Sequence, residues 1–128
     1  MKEKKYGGMS VVLAGAVFNF EQSSERVSIS LKTTDNFEIK EIKNDSFTIT
    51  ITRTLVFEPL NNTYVEVKFD AMVRTKERET EENIFTEYKS DNSIFDVVYS
   101  RASLLIAQIT SASVFGPIIT APISNKKQ

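Results

Sequence analysis

The chain has 128 residues, 41% of them hydrophobic and 26% charged, with a net charge of −1 from 16 basic and 17 acidic side chains. That balance fits one globular domain burying roughly two thirds of its extended surface, and offers no basic stripe for nucleic acid. Cys and His are both absent, which excludes disulfides, Cys/His zinc sites, Cys nucleophiles and every His-based triad.

The basic clusters Lys2 to Lys5 and Lys126-Lys127 read as solvated termini. Met9 to Phe20 alternates loosely and predicts a first strand, with Gly15 marking a bulge or a close backbone approach. This apolar run also invites a signal-peptide reading. It leads directly into Phe18-Asn19-Phe20-Glu21 without a clear small-residue cleavage site, so a strand and a cytoplasmic protein are expected. No segment approaches the ~18 apolar residues that would span a bilayer, so membrane insertion is not expected.

Arg26 to Thr33 alternates cleanly, Asp35-Asn36 looks like a turn, and Phe37 to Lys40 a short extended piece. Phe47 to Phe57 is the strongest strand, placing Phe47, Ile49, Ile51, Leu55 and Phe57 on one face and a row of threonines opposite. Arg53 interrupts the apolar face at its middle. It either pairs with a buried carboxylate at an oligomer contact or marks where the strand leaves the core, and the second is the commoner arrangement. Tyr64 to Val73 follows after a short connection, which argues for an antiparallel hairpin.

Lys76 to Asn83 reads as a solvated charged turn or a frayed strand end, and Ile84 to Lys89 as a short strand or a link to the helix. Ser93-x-x-Asp96 then offers a helix cap. Phe95, Val98, Ala102, Leu105, Ile109 and Ala112 recur at helical spacing and predict one apolar stripe. Leu104, Ile106 and Val114 widen it beyond what one sheet face needs, so Ala102, Leu105, Ile109 and Ala112 are candidates for an oligomer interface. The helix stops at Gly116-Pro117, and the apolar segment Ile118-Ile119-Thr120-Ala121-Pro122-Ile123 follows. Such a segment must bury itself or offer its surface to something else.

Catalysis has no constellation behind it. Glu66, Asp70, Glu79, Glu81 and Glu82 read as solvated charges, Gly7-Gly8 lacks the rest of a phosphate loop, and no loop has calcium-site spacing. Neither an enzyme nor a cofactor or metal is expected. Phe18, Phe20 and Phe115, together with Ile118, Ile119 and Ile123, could instead form a groove for extended apolar polypeptide.

Tyr99-x-Arg101, the apolar helix, Pro117 and Ala121-Pro122 together resemble the C-terminal part of the SecB export-chaperone family, with Phe18 to Glu21 a further echo of its first strand. The resemblance implies an α+β fold over a single domain, residues 1–128: a four-stranded antiparallel sheet, one long C-terminal helix and an apolar Pro-containing loop. It implies an ATP-independent holdase for unfolded or preprotein chains, assembled with itself as a dimer or dimer of dimers. It also favours a structural contact for Arg101, as a partner for loop carbonyls. Only six residues follow Pro122 in this sequence, so neither the family's final helix nor its basic metal-binding tail is expected here. Contact with a translocation motor is correspondingly open, and a dedicated partner such as an antitoxin is the alternative client.

Overall fold

The computed structural model describes residues 6–21, 28–60, 62–91 and 93–124. The readings made for the two basic termini and for Arg26 and Val27 lie outside these residues. Four strands, β1 (Tyr6–Asn19), β2 (Ser30–Ile42), β3 (Ser46–Glu58) and β4 (Tyr64–Thr75), precede two helices, α1 (Glu81–Lys89) and α2 (Asp96–Thr110). The strands form one antiparallel sheet in the order β1-β4-β3-β2. β2, β3 and β4 are consecutive neighbours, while β1 closes the sheet beside β4 and leaves β1 and β2 as its two edges.

Strict alternation explains the two central strands. Phe47, Ile49, Ile51, Leu55 and Phe57 of β3 and Val65, Val67, Phe69, Ala71 and Val73 of β4 are all buried on one face. Phe95, Val98, Tyr99, Ala102 and Ile106 of the α2 region pack into the same core. The opposite face carries polar pairs in its middle: Thr50 donates to Asp70 at 2.7 Å, and Lys40 pairs with Asp70 at 3.3 Å. In β1 the register slips between Leu13 and Gly15, which places the expected bulge at Ala14.

Four local expectations are corrected. Asp35-Asn36 is no turn, because β2 runs straight through it and sets Asp35 opposite Arg53. Residues 81–89 are a helix rather than a charged turn and a strand. Thr80 caps it by accepting the Asn83 amide at 3.1 Å, with Glu81 and Glu82 in the first turn and Lys89 in the last, as the helix dipole favours. Ser93 acts one step earlier than expected: its hydroxyl accepts the Phe95 amide at 3.1 Å, and α2 starts at Asp96 without a side-chain cap. The buried line of α2 runs through Val98, Tyr99, Ala102, Ile106 and Thr110. It is rotated from the expected stripe because Tyr99 and Thr110 go inward with their hydroxyls satisfied.

Candidate functional site

The site is built where the chain returns over the sheet after α2. Thr110, fully buried, donates to the Ile106 carbonyl at 2.6 Å and accepts the Ile118 amide at 2.9 Å, tying the tail to the helix end. Between them Gly116 takes a positive φ of 69°, a conformation that suits glycine, and the chain reverses into Pro117. Residues 117–124 then run back along α2 without regular secondary structure. Ser103 donates to the Thr120 carbonyl at 2.7 Å and Ser100 to the Pro122 carbonyl at 3.2 Å.

Arg53 lies beneath this tail with 0% exposure. A guanidinium carries five N–H donors, and all five are used. Two reach Asp35 as a fork, at 2.8 and 2.9 Å; the others go to the Thr120 hydroxyl at 3.1 Å, the Ala121 carbonyl and the Ile123 carbonyl at 2.8 Å. Asp35 is equally buried, so the charges are paired and the remaining donors are taken up by the tail. The guanidinium also sits 5.1 Å from the centre of the Tyr99 ring. The Tyr99 hydroxyl bonds that of Tyr88 at 2.7 Å, and Tyr88 reaches the Ser124 hydroxyl at 3.0 Å. Burial, followed by this hydrogen bond, raises the Tyr99 pKa well above that of a free phenol.

Both arginine expectations are thereby revised. Arg53 does not leave the core; it pairs with a buried carboxylate inside its own chain. Arg101 is exposed, and it is Arg53 that binds the loop carbonyls. The clue in the sequence was a single Asp in an otherwise alternating strand, which only pairing register could place opposite the arginine.

The tail is held inside out. Its carbonyls point inward to Arg53, Ser100 and Ser103, while Ile119 is 78% exposed and Ile123 53%. Ile118 does not share that surface, being buried in the core. Phe18, Phe20 and Phe115 come together elsewhere: Phe20 lies edge-on to Phe18 at 6.4 Å and to Phe115 at 5.7 Å, and Phe115 packs on buried Phe57 at 4.9 Å. Of this group Phe20 is exposed, and Phe18 and Phe115 are half-buried.

Among the residues expected at an oligomer contact, Ala102 is buried in the protomer's own core and is closed to a partner. Leu105 and Ile109 are half-buried, and Ala112 is exposed beyond the end of α2. Further exposed apolar side chains lie on α2 and on both faces of the β1 edge. Val97 and Leu104 are exposed on α2, and Val12, Leu13 and Val17 on β1. β1 contains no charged residue. α2 packs over β4 and β3 more than over β1, leaving an apolar cleft of about 270 Å³ lined by Tyr6, Gly8, Met9, Val73, Ile94 and Val97.

Among the described residues no group of three or more acidic side chains is placed to hold a metal ion, and no helix is long and apolar enough to cross a membrane.

No protein-family model matches the chain, and no curated protein matches it. Solved structures do. The SecB-like chaperone Rv1957 of Mycobacterium tuberculosis, solved with a ChAD peptide from the HigA1 antitoxin, superposes with a TM-score of 0.62 at 13% identity, covering 90% of this chain and 87% of that one. A Streptococcus agalactiae protein of unknown function aligns over 90% of this chain and 98% of its own at 13% identity, with a TM-score of 0.42. The chain therefore has the SecB-like α+β fold, a four-stranded antiparallel sheet backed by two helices.

Proposed function

We propose that this protein is an ATP-independent chaperone that holds unfolded or partly folded polypeptide on apolar surface. The observation that carries the reading is the inverted tail on a SecB-like fold. Three donors of a buried arginine hold the tail in, two of them on backbone carbonyls, and the side chains of Ile119 and Ile123 face water. Left to the hydrophobic effect alone, such side chains would turn inward, so their display marks a contact surface. Phe20 and Phe115 offer a second apolar contact, and binding at several such patches slows release of a long client. Apolar burial is non-directional, which suits clients of many sequences.

The protein acts in this reading as an assembly with itself, a dimer or a dimer of dimers. Uncharged β1, with its free edge and exposed Val12, Leu13 and Val17, supports that, as do Val97 and Leu104 on α2. The work is cytoplasmic, before or without delivery to an export motor. A second reading is favoured by the structural neighbour, whose bound peptide comes from an antitoxin. Here the client is one dedicated protein rather than many.

Aggregation assays separate the two. A general holdase suppresses aggregation of several unrelated denatured proteins at no more than equimolar assembly. A dedicated chaperone leaves those unprotected and retains one dominant protein in a pull-down. Failure on both counts sinks the proposal.

A further inference from the structure

The tail displays apolar side chains only because something holds its backbone, and that something is a charged group in the core. We propose that Arg53 is a positioning residue for polypeptide capture, keeping Ile119 and Ile123 turned outward as fixed contacts for a client. This rests on the chaperone reading above. The geometry sets the division of labour. The Ala121 and Ile123 carbonyls and the Thr120 hydroxyl all converge on one guanidinium, which Asp35 clamps by its other side. Thr120 is held inward by both its hydroxyl and its carbonyl, and Ile123 by its carbonyl alone. Ile119 and Ile123 flank this anchored stretch and are both exposed.

A flexible tail bearing the same two isoleucines would lose ordering entropy each time it met a client. A tail already ordered by Arg53 does not. Lysine in this place keeps a charge for Asp35 but has no planar fork with which to reach three tail acceptors. Arg53→Lys thus separates the clamp from the charge pair.

The test uses the full chain and two readouts. Backbone amide relaxation follows order at Ile119, Thr120, Ala121 and Ile123. Titration with a reduced, carboxymethylated protein that has no residual fold follows capture. In the wild type, tail order parameters should match those of the sheet, roughly 0.85, and in Arg53→Lys they should fall below about 0.6 with the sheet unchanged. The dissociation constant for the probe should rise at least tenfold at unchanged assembly mass. A double variant, Ser103→Ala with Thr120→Val, removes tail contacts while leaving the Asp35 pair whole. It should give the same pattern more weakly, and decides the matter alone where Arg53→Lys does not fold. Unchanged tail order in the folded variants overturns the positioning role, and a loosened tail with unchanged probe affinity overturns its link to capture. A wild-type chain that binds no unfolded probe sinks the chaperone reading and the capture role with it, whatever the relaxation data show.

Discussion

The two edges of the sheet are built on opposite principles. β2 carries Lys32, Asp35, Glu38, Lys40 and Glu41, and beyond the exposed Leu31 at its start its inward face is covered within the chain. Phe37 stacks on Tyr88 of α1 at 4.1 Å and meets Phe85 at 5.3 Å, and Asp35 is locked to Arg53 beneath the tail. β1 carries no charge at all, and exposes Val12, Leu13 and Val17. Charges on an edge strand discourage further pairing, and their lack invites it. One edge is thus charged and largely covered on its inward face by the chain itself, while the other is uncharged and exposes apolar side chains.

The comparison breaks most readily at Arg53. Arg53→Met takes the bidentate guanidinium from buried Asp35, and should cost about 3–5 kcal/mol in denaturant unfolding, because breaking a buried ion pair by removing one member is strongly destabilising. A loss below about 1 kcal/mol would mean that the β2 side is not held by this pair. On β1 the effect should appear in mass rather than in fold. Val12→Lys and Leu13→Lys should shift light scattering toward the 14.5 kDa of a single chain, with the thermal midpoint changed little at matched monomer concentration. Assemblies of wild-type mass in both variants would remove β1 from the contact.

A smaller effect tests α1, whose aromatic side chains cover β2. Thr80→Ala deletes its cap and should lower stability by about 1 kcal/mol. The smallest signal is alkaline. Tyr6, at the start of β1, is pushed up to about 12, chiefly by burial and then by the carboxylates of Glu87 and Glu79. A phenol whose folded pKa lies above its unfolded value of 10.0 contributes stability that is intact below pH 10 and lost as pH rises from 10 toward 12. Tyr6→Phe should therefore flatten the fall in stability over that window, as read by unfolding at stepped pH. An identical slope would show that Tyr6 is not the group responsible.

Much of this architecture was legible along the chain. Period-two alternation named β3 and β4 and their inward residues, and Gly15 announced the bulge in β1. What hid from sequence reasoning were polar residues doing structural work inside. Asp35 looked like part of a turn, Tyr99 and Thr110 stood outside the hydropathy stripe of α2, and the charges around Thr80 obscured a nine-residue helix. Asp35 and Tyr99 are buried because of specific partners, and partners distant in sequence leave no periodic trace.

The apolar character of residues 117–123, the lack of Cys and His and the sheet-then-helix order were determined by the sequence alone. Hydrophobic periodicity is local, so a strand or helix can announce its inner face unaided. Which way the tail turns was not local. That depended on pairing register, which sets Asp35 across from Arg53, and on α2, which brings Ser100 and Ser103 alongside. Only the folded molecule assembles acceptors from two distant segments, β2 and the tail, around one guanidinium, and only then do Ile119 and Ile123 have to face water.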